Sequence, residues 1–182
     1  VTKGLGEMQS LANGVGDLKK VLSNVKTRGV LGEVQLEAIL DEILSPDQYE
    51  KNVNTTGEGS NIVEFAVKLP GDGNGSIWLP IDSKFPGDAY ANLLDAYETG
   101  DKSAVESAKK ALINVVKSEA RDISGKYIAP PKTTNFGIMF LPVEGLYAEV
   151  VKLGMVEVLQ RDYHVNIAGP TTMAAMLNSL QM

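Results

Sequence analysis

The sequence contains no cysteine and a single histidine. The first absence excludes disulfide staples, thiolate zinc sites, iron–sulfur clusters and catalytic thiols, and it is compatible with a reducing compartment. The second leaves His164 without a companion for a zinc site or a Ser/His/Asp triad, so a structural role at a strand start is expected. Basic charge is also short: 17 Lys+Arg stand against 23 Asp+Glu, a net charge of -6. Proteins that coat nucleic acid usually show the opposite balance, because cationic side chains release phosphate counterions. Long hydrophobic runs are missing. The longest nearly uninterrupted one, Phe136 to Val143, falls far short of the ~20 residues that span a bilayer. Compositional bias is missing too, with 43% hydrophobic and 22% charged residues, so an ordinary globular domain is expected. A chain of 182 residues buries roughly 70% of its unfolded surface and needs no metal or disulfide to hold a core.

What is present is distributed in blocks. Residues 1–30 carry five basic and two acidic groups, 31–60 one and seven, 61–100 two and six, 101–130 six and four, and 131–182 three and four. The acidity is therefore concentrated between residues 31 and 100. Spacing predicts a helix over Leu5 to Leu22, weakened by Gly14 and Gly16, with an interruption or bend at Thr27-Arg28-Gly29. A stronger helix is predicted over Val30 to Leu44, where Val34, Leu36, Ile39, Leu40, Ile43 and Leu44 recur at helical spacing. An edge strand at Tyr49 to Asn54 and a loop at Thr55 to Ser60 follow. Helices are expected from Pro86 to about Tyr97, Ser103 to about Asp122, Glu144 to Leu159 and Thr171 onward, with strands at Phe136 to Leu141 and His164 to Ala168. This order points to an α/β domain with a mixed central sheet flanked by helices.

The clearest local pattern is a hairpin. Asn61 to Leu69 and Ser76 to Lys84 are strand-like runs joined by the turn Pro70-Gly-Asp-Gly-Asn-Gly75. A turn centred on Gly73 sets Phe65, Val67 and Leu69 opposite Ile81, Leu79 and Ile77 as one apolar face. Pro80 cannot donate to a ladder and is expected at an edge-facing position or a bulge. The second face carries Glu64, Ala66, Lys68, Trp78, Pro80, Asp82 and Lys84, with Glu64 opposite Asp82. Two neighbouring carboxylates repel unless a proton or cation intervenes. Glu64, Asp82 and a main-chain carbonyl near Ser83 suit a hard divalent cation, Mg²⁺ or Mn²⁺. Lys84, two residues beyond Asp82, can then orient an attacking water or stabilise developing negative charge. The plainer alternative is a surface ion pair on the solvated side of a hairpin.

Asn24-Val-Lys-Thr-Arg-Gly-Val-Leu-Gly-Glu-Val-Gln-Leu-Glu37, Val67-Lys-Leu-Pro70, Ile81-Asp-Ser-Lys-Phe-Pro86, Phe140-Leu-Pro-Val-Glu144 and Gly169-Pro-Thr-Thr172 resemble the core of the bacterial RmuC family, from about Asn24 to the end. The resemblance implies a role in limiting DNA recombination or rearrangement, and a core similar to PD-(D/E)XK restriction-endonuclease-like nucleases. Carried over by position, it implies Glu64 and Asp82 as metal ligands, Lys84 as the catalytic lysine and Glu33 as the acid of the preceding helix. The first acid of such motifs is usually Asp after Pro, whereas here Glu64 follows Val63. The resemblance also implies that a membrane-anchoring segment and a coiled coil precede this core. Residues 1–29 are accordingly expected to be an N-terminal helix ending a flanking coiled coil, and 30–182 the nuclease-like core, cut within its last helix.

Lys19, Lys20, Lys26 and Arg28 form one basic stretch and Lys109, Lys110, Lys117, Arg121 and Lys126 another. Lys26, Arg28, Lys109, Lys110 and Tyr127 are the candidate DNA contacts, through phosphates and base stacking; solvated helix faces and partial burial are the alternatives. Trp78 is a second stacking candidate. Gln35 beside the helix acid is a weaker candidate, and Gly71-x-Gly-x-Gly75 lacks the helix of a phosphate loop. The expectation is a Mg²⁺- or Mn²⁺-dependent DNA endonuclease-like domain in the cytoplasm, anchored to the inner membrane only through a preceding segment. Its partners would be DNA and a second copy through the coiled coil. The alternative is an inactive nuclease fold used for DNA binding or protein interaction.

Overall fold

A computed structural model describes residues 24–71, 73 and 75–180; the helix expected at Leu5 to Leu22, with Lys19 and Lys20, lies outside them. The hairpin strands β2 (Val63–Pro70) and β3 (Ser76–Ser83) pair antiparallel, with Phe65 opposite Ile81, Val67 opposite Leu79 and Leu69 opposite Ile77. This is the register that a turn centred on Gly73 dictates, and Gly73 has φ +90°, which glycine adopts without a Cβ clash. Strand β1 (Tyr49–Val53) pairs antiparallel with β2 at the sheet edge. On the other side β3 pairs parallel with β4 (Gly137–Phe140), and β4 parallel with β5 (Val165–Ala168). The sheet is mixed, ordered β1-β2-β3-β4-β5.

Pro80 is therefore not at an edge, as one expectation had it, but in the middle strand. It is tolerated because the β4 side of β3 is interrupted there. Trp78 donates to the Lys132 carbonyl through a short bridge with Thr133, and regular β3–β4 pairing resumes only at Ile81. The missing N–H of Pro80 falls at that break.

Helices cover both faces. Helix α1 (Val25–Ile43) and α6 (Pro170–Leu180) pack on one, where Leu36, Leu40, Phe65, Leu79, Ile138, Phe140, Met173 and Leu177 form a core. Helices α2 (Gly87–Thr99), α3 (Lys102–Tyr127), α4 (Glu144–Lys152) and α5 (Met155–Tyr163) form the other layer, with Leu93, Leu112, Val116, Ile123, Met139 and Leu159 in its core. Two-sided cover explains why all four residues of β4 are buried, as a continuous apolar strand requires.

Three helical expectations change. Asn24 caps α1 by accepting from the Thr27 N–H, and the helix runs through Arg28-Gly29 unbroken. Val34, expected in the apolar stripe, is 59% exposed beside exposed Val30, because Leu36, Leu40 and Leu44 define the buried side. The single helix expected over Glu144 to Leu159 is two, separated by Gly154 at φ +75°. His164 ends α5 at φ +57° and precedes β5 rather than starting it.

Candidate active site

Four of the five segments that carry the family resemblance lie where the parallel strands end, while Val67 to Pro70 lies at the turn end of the hairpin, opposite Ser76 to Leu79. A Cβ at Gly32 would run into Ser83 Oγ and stand 3.0 Å from Pro142 Cγ, so glycine lets α1 lie against the ends of β3 and β4. Gly87 opens the same kind of space for the Arg28 side chain. The Glu144 carboxylate accepts from the Thr171 N–H and thereby caps the first turn of α6, while the Thr172 hydroxyl accepts from the Gly169 N–H at 2.7 Å. These runs therefore serve as turns and helix caps. They also fix α1, and with it Glu33, over the end of β3.

Hairpin pairing between β2 and β3 runs from Pro70–Ser76 to Phe65–Ile81, so Glu64 and Asp82 stand one step beyond its last pair. Their face is not solvated. Ala66 is 0% and Asp82 4% exposed, because the helical layer containing α3 covers this side. Lys84 Nζ lies 3.1 Å from Asp82 Oδ2 as an ion pair, and that buried oxygen has no other partner among the described residues.

Two unit negative charges 4 Å apart repel by about 4 kcal/mol at the effective dielectric of a protein surface, so adjacent carboxylates at this depth need a proton or a cation between them. Glu64 answers with a proton: burial pushes its pKa up to about 9, and a hydrogen bond to Asp82 and the charges of Asp82 and Glu33 push the same way, against Lys84. For Lys84, burial disfavours the ammonium, but contact with Asp82 outweighs it, and Glu119 and Tyr127 add to the upward shift. Lys84 therefore stays cationic.

Of the four residues expected to form the centre, the structure brings Glu64, Asp82 and Lys84 together and leaves Glu33 at its edge. Glu33 is exposed on α1, yet close enough for its charge to act on Glu64. Tyr127 ends α3 beside the cluster, held by the Thr55 hydroxyl donating to its carbonyl at 2.7 Å. Burial raises its phenol, as do the charges of Asp82, Glu64 and Asp122, against Lys84. Sequence reasoning missed Glu119. It projects from α3 with Oε2 buried and unpartnered, and burial, opposed by Lys84 and assisted by Asp82 and Asp122, lifts its pKa to about 7. The available signal was an acid set on the stripe Leu112, Val116, Ile123 at helical spacing.

The proposed DNA contacts are not brought together. Lys26 is exposed on the first turn of α1. Arg28 is only 7% exposed, and its guanidinium donates to Asp88 at 2.8 Å, which ties α1 to α2. Lys109 pairs with Glu106 at 3.6 Å and Lys110 is exposed; at 1.5 Å rise per residue, both lie roughly 25 Å along α3 from Tyr127. Trp78 is half-buried, with Lys68 Nζ 5.9 Å from its ring centroid. Gln35 is half-buried on α1.

The donor set fits a hard divalent cation in kind. Two carboxyl groups at one spot, one of them with a buried oxygen whose one partner among the described residues is the Lys84 ammonium, are oxygen ligands of the sort Mg²⁺ takes alongside water and substrate phosphate. Among the described residues no three His, Asp or Glu side chains gather closely enough to form a complete protein cage.

Fold and site together define a mixed α/β domain with a buried acid–lysine cluster at the open end of its central hairpin. The chain belongs to the RmuC family, whose model matches residues 1–182. A DNA recombination protein RmuC homolog of Xylella fastidiosa (strain Temecula1) is 54% identical over 185 residues, covering 100% of this chain and 41% of that protein. The homolog of Pasteurella multocida (strain Pm70) is 31% identical over 135 residues, 70% of this chain and 25% of its own length. That of Pseudomonas aeruginosa is 25% identical over 190 residues, 97% of this chain and 40% of its own length. The chain thus spans 41% or less of these relatives. No solved structure matches it.

Proposed function

We propose that this domain hydrolyses phosphodiester bonds of DNA with Mg²⁺ or Mn²⁺, in the recombination role for which its relatives are named. The observation that carries the proposal is the half-buried Glu64 placed one step beyond the last hairpin pair with the buried Asp82, and Lys84 Nζ 3.1 Å from Asp82. Glu64, Asp82 and a main-chain carbonyl near Ser83 would hold the cation. When bound, it supplies positive charge to the phosphoryl group and acidifies an attacking water. Lys84, kept cationic, meets the charge that develops on the phosphate oxygens. Glu33, exposed on α1, is the accessory acid. A core like that of restriction-endonuclease-like nucleases belongs to this proposal.

The test uses the chain with its native flanking segments, on duplex, branched and single-stranded DNA. Cleavage that requires Mg²⁺ or Mn²⁺ and falls by at least about 100-fold in Asp82→Ala and Lys84→Ala is expected. Intact DNA across substrates and metals would sink the catalytic reading.

A second reading, a non-catalytic DNA-binding or protein-interaction module, is favoured by one observation: Asp82 already has Lys84 as its counter-ion, and no third acid completes a cage among the described residues. In that case charge reversal at Lys109 and Lys110 abolishes function while Asp82→Ala is tolerated.

A further inference from the structure

Asp82 cannot serve a cation and remain the whole counter-charge of Lys84. Side-chain exposure is 5% for Asp82 and 28% for Lys84, so an ammonium that loses this partner stays largely buried without one. Removing one member of a buried pair is costly because the other is left uncompensated. Helix α3 brings a second carboxylate to the same place. Glu119 Oε2 is buried with no hydrogen-bond partner, and its charge acts on Lys84 and is felt together with that of Asp82. A carboxylate on the core-facing side of a helix, with neighbours Val116, Ala120 and Ile123 fully buried, is unfavourable unless something uses it.

We propose that Glu119 is the second anchor of Lys84, a positioning residue that takes the ammonium when Asp82 turns to another partner. The proposal rests on the cation-site reading only for the occasion of the exchange. The anchor is a property of Asp82, Lys84 and Glu119 and is testable without metal. An acid outside the carboxyl pair thereby keeps Lys84 at the site while Asp82 exchanges one partner for another.

Thermal unfolding in EDTA at pH 7.5 tests it with Asp82→Asn, Glu119→Gln, the double variant, and the double variant carrying Lys84→Met. If Glu119 is the alternative anchor, the double variant loses at least about 5 °C more than the two single changes added together. Adding Lys84→Met then restores the lost stability, because no buried cation is left unpaired. Additive shifts overturn the proposal, and so does failure of Lys84→Met to rescue. A double variant that is unfolded at 20 °C but folds with Lys84→Met supports it. Mn²⁺ titration of the wild type separates the two ideas. Rescue by Lys84→Met without any Mn²⁺ binding supports the anchor and counts against the cation site. Mn²⁺ binding lost in Asp82→Asn, with additive unfolding shifts, supports the site and overturns the anchor.

Discussion

Burial and the neighbouring Asp82 push the Glu64 pKa up to about 9, against 4.5 for an ordinary glutamate. Between these values the unfolded state loses the proton first, so the fold binds more protons and stability falls as pH rises. Glu119 contributes in the same direction between 4.5 and about 7. Both contributions are fully present below 4.5 and lost as pH climbs through the folded values. Glu64→Gln removes one titration while keeping a neutral hydrogen-bonding side chain. Urea unfolding from pH 5 to 9 should show the variant gaining on the wild type with pH, by on the order of 2 kcal/mol at the alkaline end. A constant difference across the range would show that Glu64 is ionised throughout. Saturating Mg²⁺ or Mn²⁺ should do what the mutation does, since a cation that displaces the proton stabilises the ionised pair. At pH 7, calorimetric titrations in buffers of different ionisation enthalpy should show proton release on binding.

Helix α1 is positioned by glycine at one contact. In Gly32→Ala the new methyl meets Ser83 Oγ and presses on Pro142, which outweighs the roughly 1 kcal/mol that Ala gains in a helix and leaves a net loss of about 1–3 kcal/mol. Adding Ser83→Ala removes the nearest atom and should recover most of the loss; if it does not, Pro142 sets the limit. Some of this layer was legible in sequence and some was not. Hairpin register followed from alternation and a glycine turn, because a strand's side-chain period allows no slip without exposing a core face. The break at Gly154 was hidden because α4 and α5 both bury apolar residues against one core, so the periodicity reads through it. The bend expected at Arg28-Gly29 does not occur because Arg28 is held in place by Asp88, sixty positions away. For the site, Glu64, Asp82 and Lys84 were found from strand alternation, a local property. Glu119 reaches them only through the packing of α3 on the sheet, which no local pattern encodes.

Across the molecule, the surplus of acid from residues 31 to 100 includes Glu33, Glu64 and Asp82, while α3 carries Lys109, Lys110, Lys117, Arg121 and Lys126. Under the proposed function, a carboxyl-rich site with a basic helix alongside favours DNA contact at few places over broad coating. Substituting Lys109 and Lys110 by glutamate should weaken DNA binding across sequences and reduce the salt slope by about 1 for each phosphate no longer neutralised. An unchanged slope would remove α3 from the DNA surface. No helix among the described residues is long and apolar enough to cross a membrane. Whether a divalent cation replaces the proton between Glu64 and Asp82 is decided by titrating Mn²⁺ into the metal-free chain and following free Mn²⁺ by electron paramagnetic resonance. Saturable binding of about one ion is expected, lost in Asp82→Asn and weakened at least about tenfold in Glu64→Gln. No saturable binding, or binding unchanged in both variants, would rule the cation site out.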